Sequence, residues 1–367
     1  MDNSIKYTFI VHPDFCDKFS SIVQILPQHI GTFIPVSANE FDKLFIGSKR
    51  GAVRQQEIIS NNIYDLLLKY IDKIKPEKCI LLYFDRFIKA LIKNKPNTEL
   101  YGILFSTGLR ENKHLSFRTK FKYLRKKFRR RLYTRNNSVK KIFILNDSEG
   151  VDILNKQNKK NIFFYLPDPI IIHDEDTNFN LRAKYNISKS KKIFLHFGSF
   201  RNSKGTIEII ESLNLLTPKT SATSCLVLAG KPKNDSIKKQ ILETIKKNNG
   251  TQVVYIDEFI SNAKMKALFN QCDHILMPYK NGSASSGVIG HAIVATKPVI
   301  YSNSGLIGEL IKNNWMGEHV ERVEPEEIAK AIEKSLNTHY PVIDNNSFIE
   351  SHSPNNFAQT LLENLNI

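Results

Sequence analysis

Short apolar runs alternate with amphipathic helical patterns along most of the chain. In the first half, strand-length runs and helical patterns fall at residues 7–11, 62–74, 78–84, 87–92, 100–105 and 141–145. In the second half the alternation resumes at Lys192, with strands predicted at residues 226–229, 253–256, 274–277 and 299–301. Alternation of this kind favours parallel sheets flanked by helices, so the pattern predicts an α/β protein.

The alternation stops near the middle of the chain. Pro167 and Pro169 end the pattern, and a polar, acidic stretch follows them. We therefore predict an N-terminal domain over residues 1–170, a linker over 171–190, a C-terminal domain over 191–345 and a last segment over 346–367. In that last segment, Ser353 and Pro354 are typical of a helix start.

Two loops of the C-terminal half have the residues expected of a phosphate site. In the first, an apolar run breaks at Gly198, and Arg201 and Lys204 precede a helical pattern. In the second, a strand that ends at Met277 leads through a Ser- and Gly-rich loop to a mostly apolar helix. The residues predicted at the start of this helix are Ser285, Ser286 and Gly287. Free N–H groups and the positive end of the helix dipole favour an anion there.

These loops resemble the donor-binding domain of GT-B glycosyltransferases, most of all the retaining, glycogen-synthase-like group 1 family. In that family a Gly after a strand is followed by a Lys-Gly pair, and Gly198, Lys204 and Gly205 have this spacing. Residues 291–300 and 304–311 resemble the family's buried helix, Lys-Pro turn, short strand and Gly-rich loop ending in Glu.

The resemblance implies a GT-B fold, in which two doubly wound, Rossmann-like domains face each other across a cleft. It implies that the C-terminal domain binds a nucleotide sugar, that the N-terminal domain binds the acceptor, and that the last helix crosses back to the N-terminal domain. It further implies that the anomeric configuration is retained and that Glu309 contacts the ribose. The donor-binding residues expected on this basis are Gly198, Ser199, Gly205, Ser285, Ser286, Gly287 and Glu309.

The chain departs from the family at three positions. Where relatives carry two Glu residues eight positions apart, this sequence has Ser283 and His291. Where relatives carry Arg directly after the first Gly, it has Ser199, and Arg201 is expected to take that place. His291 has two interpretations, as a hydrogen-bonded core residue or as a catalytic residue that faces the donor.

Polar residues also follow strands of the N-terminal half. His12, Asp85, Arg86 and Thr107 each lie just after a predicted strand. Because open α/β sheets bind ligands at the carboxyl ends of their strands, we expect these residues to line the cleft. Asp85 is predicted to be catalytic together with Lys204, whereas the other three are predicted to bind the acceptor.

Length and composition limit the class of protein. A chain of 367 residues suits two domains, and its 41% hydrophobic and 24% charged residues are ordinary for a globular protein. Its four cysteines match no metal-ligand spacing, which favours free thiols in a reducing compartment. The sequence shows neither a signal-peptide pattern nor a run of about 20 apolar residues. These features predict a cytoplasmic protein, with the inner face of the membrane as a candidate contact.

A basic helix supplies much of the formal net charge of +17. Between residues 118 and 135 there are ten Lys or Arg and no acid, with apolar residues at helical spacing. One interpretation is a surface helix with its apolar side on the N-terminal core. A second is contact with anionic lipid through Arg125, Lys126, Arg129 and Arg130, and a third is nucleic-acid binding, which we consider unlikely relative to lipid.

The sequence thus predicts a glycosyltransferase that moves a sugar from a nucleotide sugar to a glycan or polyprenyl-phosphate-linked acceptor in surface polysaccharide synthesis. No cofactor and no metal are expected, because Lys204 and Arg201 are predicted to stabilise the departing diphosphate. Two alternatives remain open from the sequence. One is a nucleotide-sugar hydrolase or epimerase of the same fold, and the other is a non-catalytic basic binding protein.

Overall fold

The computed structural model describes residues 5–45, 52–109, 117–341 and 343–366. In these residues twelve strands, all paired in parallel, form three sheets. The strands are Tyr7–Val11 (β1), Gly31–Pro35 (β2), Lys78–Leu81 (β3), Glu99–Leu104 (β4), Val139–Leu145 (β5), Phe163–Leu166 (β6), Lys192–Phe197 (β7), Ser224–Ala229 (β8), Gln252–Ile256 (β9), His274–Met277 (β10), Val299–Ser302 (β11) and Gly317–Val320 (β12). The predicted α/β class is confirmed.

Helices connect and cover these strands. In the N-terminal half they are Phe15–Lys18 (α1), Ser20–Ile25 (α2), Ala38–Lys43 (α3), Ala52–Ile74 (α4), Ile88–Lys93 (α5), Phe117–Tyr133 (α6) and Ser148–Asn158 (α7). In the remainder they are Leu181–Lys184 (α8), Thr206–Ser212 (α9), Pro218–Ala222 (α10), Asp235–Lys246 (α11), Asn262–Gln271 (α12), Gly287–Val294 (α13), Gly305–Asn314 (α14), Pro325–Asn337 (α15), Asn346–Ser351 (α16) and Pro354–Leu365 (α17).

The N-terminal half contains two separate sheets in its described residues. β1 and β2 form a two-stranded sheet, and β3, β4, β5 and β6 form a second sheet in that order. One face of the larger sheet packs against α4, α5, α6 and α7 around buried residues such as Tyr64, Leu91 and Leu154. The other face packs against α17, whose Leu365 is fully buried there. The parallel strands described in this half are thus divided between two sheets.

The C-terminal half is a doubly wound domain with its strands in the order β12-β11-β10-β7-β8-β9. Each face of the sheet has its own buried core. One includes α12, α13 and α14, and the other includes α9, α11 and α15. The strand order reverses between β7 and β10, so the loops after these two strands flank the crevice where such sheets bind ligands.

The connection between the halves is shorter than predicted. Phe179, Leu181 and Ile187 lie in the predicted linker, yet all three are buried in the core of the C-terminal domain. The reason is that α8 packs onto that core, with the N-cap Asn180 accepting a hydrogen bond from Ala183 N–H. The predicted linker of 171–190 is therefore too long at its C-terminal end.

Candidate active site

The two glycine-containing loops lie against each other at the switch point. Gly205 has a φ of +72°, and a Cβ added there would lie 2.4 Å from the carbonyl oxygen of Pro278. The amide of Lys280 donates a hydrogen bond of 3.0 Å to the carbonyl of Ser203, which joins the loops directly. Gly198 has a φ of +112°, and no atom lies within 4 Å of an added Cβ, so its outer side is open.

Lys204 is a half-buried cation without a carboxylate partner in the described residues. Its ammonium nitrogen lies 3.6 Å from the centroid of the Tyr279 ring, which is a cation–π contact. Burial, together with the charge of Arg201, lowers the pKa of Lys204 to about 8. An anion bound here would raise the pKa of Lys204 again. Its negative charge favours the charged ammonium group and so offsets both the burial and the charge of Arg201.

His196 fixes the start of α9 through hydrogen bonds, a role that the sequence pattern did not reveal. Its Nδ1 lies 2.9 Å from the carbonyl oxygen of Leu276, and its Nε2 lies 2.9 Å from Oγ1 of Thr206. A carbonyl only accepts, so Nδ1 donates and Nε2 accepts from the Thr206 hydroxyl. Burial lowers the pKa of His196 to about 4. The ring is therefore neutral at pH 7 and positions the start of α9.

The first turn of α13 presents free backbone donors beside these cations. Ser286 is the N-cap residue, and its side chain makes no capping hydrogen bond. Nothing lies within 4 Å of a Cβ added at Gly287, so this end of the helix is open. The Tyr279 hydroxyl is buried nearby without a well-formed hydrogen bond in the described part of the chain. Cations, helix N–H groups and an unsatisfied hydroxyl together suit an oxygen-rich anion.

The hydroxyl of Ser285 connects the two halves of the chain. Its hydroxyl donates a hydrogen bond of 2.6 Å to Asp168 and accepts one of 3.2 Å from Asn146. Both partners belong to the N-terminal half, and burial raises the pKa of Asp168. A second bond of this kind runs from the Ser106 hydroxyl to the carbonyl of Ser283, at 3.2 Å. The hydroxyl of Ser285 therefore links the two halves, and the contact of its backbone N–H group with a donor stays a prediction.

Two of the residues predicted in the cleft are held within the N-terminal half. Thr107 is 6% exposed, and its hydroxyl donates to Asp147 at 3.1 Å, so its predicted contact with an acceptor is wrong. The Asp85 carboxylate accepts the amide N–H of Phe105 at 3.0 Å, which fixes the loop after β4. This bond gives Asp85 a structural task, and its catalytic role stays a prediction.

Other side chains at this edge are open to solvent. His12 and Arg86 are exposed, and His12 Nδ1 accepts a hydrogen bond from the amide of Asp14. Tyr83, which the sequence pattern did not single out, is 54% exposed and packs against Phe105 with ring centroids 5.1 Å apart. The exposed Tyr83 and the half-buried Phe105 form an aromatic pair near the ends of β3 and β4.

One of the basic residues of α6 that are predicted to contact the membrane is buried instead. Arg130 is only 5% exposed, and it donates hydrogen bonds to the Thr107 carbonyl and to Gln157. Its predicted membrane contact is therefore wrong. Arg125 is exposed and Arg129 is half-buried, while the Lys126 side chain lies outside the described residues. Among the side chains of this helix that the structure describes, Leu124 and Phe128 are apolar and exposed, at 61% and 62%.

Three further residues were predicted to lie at the donor site. His291 is half-buried, with its ring centroid 6.3 Å from that of His173 and 5.6 Å from that of Phe269. Burial, followed by the charge of His173, lowers its pKa. Glu309 lies on α14 and lines a cavity between the two halves together with Asn146. Ser199 is exposed directly after Gly198.

Comparison with known proteins identifies this domain. Residues 177–351 match the family model described as glycosyl transferases group 1. The C-terminal half is a group 1 glycosyltransferase domain. The chain is accordingly a glycosyltransferase that depends on a nucleotide sugar, and the loops around Lys204 are the part of this domain with the features of a donor site. No curated protein sequence matches the chain significantly.

Solved structures share the fold along the whole chain. An α,α-trehalose-phosphate synthase from Burkholderia xenovorans, solved with glucose-6-phosphate, has a TM-score of 0.68 at 10% identity, covering 99% of this chain and 100% of the synthase. HepE from Anabaena, solved with UDP and glucose, has a TM-score of 0.62 at 14% identity, covering 99% of each chain. WaaG, a glycosyltransferase of lipopolysaccharide biosynthesis, has a TM-score of 0.59 at 14% identity, covering 97% of this chain and 93% of WaaG. These likenesses show the GT-B fold.

The described residues contain neither a metal-binding cluster nor a membrane-spanning helix. No group of three or more His, Cys, Asp or Glu side chains in these residues is arranged to hold a metal ion. Within the same residues, no helix combines the length and the apolar character that crossing a bilayer requires.

Proposed function

We propose that the enzyme transfers a sugar from a nucleotide diphosphate donor to a glycan or lipid-linked acceptor, with retention of the anomeric configuration. The observation that carries the proposal is the cation pair of Lys204 and Arg201, which has no carboxylate partner in the described residues and lies beside the open start of α13. When the sugar leaves, negative charge grows on the diphosphate. Cations and N–H groups that are already in place stabilise that charge.

The burial of Lys204 strengthens this effect. In a site of low dielectric constant, a charge interacts with an anion far more strongly than it does in water. The lowered pKa of Lys204 shows that the free site holds its cation at a cost. The bound diphosphate offsets the cost of burying this charge. Part of the donor's affinity therefore comes from relief of an unfavourable charge burial that already exists in the free enzyme.

In this proposal, Lys204 and Arg201 neutralise the diphosphate, which is the task of the bound metal ion in metal-dependent enzymes. Its test is transfer measured with EDTA and again with added Mg²⁺. Equal rates support the assignment, whereas a rate that depends on Mg²⁺ contradicts it. Retention is proposed from the family likeness alone, and the anomeric signal of the product in a proton NMR spectrum decides between retention and inversion.

We also infer that α6 rests on an anionic membrane, where lipid-linked acceptors are found. The exposed pair Leu124 and Phe128 can enter the interface, while exposed Arg125 attracts the head groups. Each arginine near an anionic surface contributes about 1 kcal/mol, and burial of each large apolar side chain contributes about 1.5–3 kcal/mol. The role of WaaG in lipopolysaccharide biosynthesis supports an acceptor of this class.

Vesicle sedimentation tests the membrane contact. Leu124→Ser with Phe128→Ser should reduce binding to vesicles of anionic lipid, and Arg125→Gln should reduce it further at low salt. Arg182→Gln is the control, because this arginine lies in the C-terminal domain and bonds to the carbonyl of Ser188. Binding that is equal in wild type and in the double variant contradicts the contact.

The experiment that tests the main proposal is a thermal-shift screen against nucleotide sugars. A donor at 100 times its dissociation constant adds about 2.7 kcal/mol to the free energy of unfolding. The expected result is stabilisation of wild type by one donor and little stabilisation of Lys204→Ala. Equal stabilisation of both proteins would remove Lys204 from the donor site. Donor turnover without any acceptor would favour the hydrolase alternative.

A further inference from the structure

Tyr279 lies between the two glycine-containing loops, with its side chain buried. Only Pro278 separates it from the end of β10, and its amide donates a hydrogen bond of 2.7 Å to the carbonyl of Met277, which closes a tight turn. The residue is 2% exposed and belongs to the core of the C-terminal domain that includes α12, α13 and α14. The turn and this packing together fix the ring beside the loop that carries Lys204.

The face of this ring contacts the ammonium group of Lys204. The ammonium nitrogen lies 3.6 Å from the ring centroid, well inside the distance of about 6 Å over which a cation and an aromatic face attract each other. Tyr279 is buried and Lys204 is half-buried, and the attraction is stronger where water is excluded. The contact therefore favours the charged form of Lys204 and opposes the burial that lowers its pKa.

The basic residues near Lys204 do not stabilise its charge. Arg201 lies in the same loop, and its positive charge adds to the effect of burial in lowering the pKa of Lys204. His196 lies behind this loop, and burial lowers its pKa to about 4, so it is neutral at pH 7. Neither residue compensates the cost of the buried ammonium group.

The acids on the elements around this loop have other partners within the described residues. Glu208 of α9 is paired with Lys280. The segment after β12 packs beside Gly205 through Val323. Its acids are also engaged, in contacts of Arg322 with Glu324 and Glu327 and of His319 with Glu321. The ring of Tyr279 is therefore the stabilising contact of Lys204 in the part of the chain that the structure describes.

A neutral ring suits this position better than a carboxylate would. A carboxylate would stabilise the ammonium group more strongly, but its negative charge would oppose a bound diphosphate. The ring has no net charge, and its face leaves the N–H groups of the ammonium free to donate to an anion. Lys280 on the adjoining loop shows the contrast, because Glu208 already neutralises it. Lys204 is thus kept charged and available at the same time.

We propose that Tyr279 is a positioning residue for the transfer reaction: the face of its ring holds the ammonium group of Lys204 charged and in place for the donor diphosphate. The inference deepens the proposed function and rests on it, since Tyr279 acts through Lys204 and not by touching the substrate. The effect of the ring on the proton of Lys204 exists in the free enzyme. It can therefore be measured without any donor.

The test is a series of ring variants at position 279 of the full chain. Tyr279→Phe keeps the aromatic face, and mono-, di- and trifluorinated phenylalanine weaken it stepwise, because fluorine withdraws electron density and hardly changes the size of the ring. The titration of Lys204 is followed by NMR of ¹³C-labelled lysine, with the signal assigned by its loss in Lys204→Met. We expect Tyr279→Phe to titrate like wild type. The trifluorinated ring should lower the titration midpoint by about 0.5–1 pH unit.

Donor kinetics give a second measurement on the same variants. At pH 8, kcat/KM for the donor should fall by about two- to fivefold from phenylalanine to the trifluorinated ring, because a smaller fraction of Lys204 is charged. At pH 6 it should stay nearly constant, since Lys204 is charged in every variant. A loss of equal size at both pH values would contradict the proposal.

Tyr301→Leu is the matched control for Tyr279→Leu. Both tyrosines are buried in the same core, but the ring of Tyr301 lies beside His319, at 6.2 Å between centroids, instead of a lysine. Both variants should melt at a lower temperature because they remove buried ring volume, and only Tyr279→Leu should lower the midpoint of Lys204.

The proposal is overturned if the midpoint of Lys204 stays constant along the fluorinated series, or if Tyr301→Leu lowers it as much as Tyr279→Leu does. Failure of the proposed function gives a different result. In that case the midpoint follows the series, so the contact of ring and ammonium is supported, but Lys204→Met transfers sugar at a nearly normal rate.

Discussion

Replacing Lys204 with Met should make the enzyme less active and no less stable. The substitution keeps the length and apolar character of the side chain and removes its charge. Loss of one charged contact to a developing anion is worth a few kcal/mol, so kcat/KM for the donor should fall by about tenfold to a thousandfold. The assay is release of the nucleotide product at limiting donor, beside urea denaturation of the same preparations.

The stability of this variant follows from the pKa of Lys204. The pKa is 10.5 in the unfolded chain and about 8 in the folded one. Between these two values the unfolded state holds the proton and the folded state has lost it, so the free energy of unfolding rises with pH. Below pH 8 the full penalty of roughly 3 kcal/mol is present. Lys204→Met should therefore be up to that much more stable than wild type at pH 7, when no donor is bound.

The same pKa predicts a pH profile. In wild type, kcat/KM should decline as pH rises through about 8, because Lys204 of the free enzyme loses its charge. The Met variant should lack this decline. Lys280→Met is the matched control, since Lys280 is exposed on the adjoining loop and is paired with Glu208. Nearly normal transfer by Lys204→Met, or a pH profile equal to that of wild type, would refute the assignment.

Three other substitutions test the remaining assignments. Gly287→Leu should raise the donor KM at an unchanged melting temperature, because the new side chain would fill the open space before α13; an unchanged KM would count against a donor there. Arg130→Gln should lower the free energy of unfolding by about 1–3 kcal/mol in urea, through lost bonds to Thr107 and Gln157, while Arg125→Gln should not. His291→Ala should lower stability with donor kinetics preserved, and a raised KM at equal stability would instead favour its catalytic interpretation.

The two glycine-containing loops could be located from the sequence because their signals are local. A glycine that ends an apolar run, a lysine before a helix and a Ser-Gly helix start are each visible within a few residues. The structure adds only that β7 and β10 are neighbours, which brings these signals together. The helix start at Pro354 is equally local, with the Ser353 hydroxyl accepting the Asn356 amide.

The contacts that the sequence could not predict involve partners that are distant in sequence. Ser285 bonds to Asp168, 117 positions earlier, and Thr107 bonds to Asp147, 40 positions later. No spacing rule connects such pairs. In α6 the helix itself was predictable from its apolar period, but which side faces the core is set by Arg130, whose guanidinium reaches a backbone carbonyl of another loop. The pattern alone could not show that Leu124 and Phe128 would be exposed.

The return of α17 to the N-terminal sheet determines how this enzyme can be recombined with its relatives. Leu365 fills the N-terminal core, and the ammonium group of Lys78 donates to its carbonyl at 2.8 Å. The chain passes between the halves near Ile170 and again near His352, and there the Ile170 amide donates a hydrogen bond to the carbonyl of His352. This backbone bond joins the segment that leaves the N-terminal half to the segment that returns to it. A chimera that exchanges donor specificity should therefore take its new segment from inside this pair of crossings, and keep α17 with the N-terminal half that it completes.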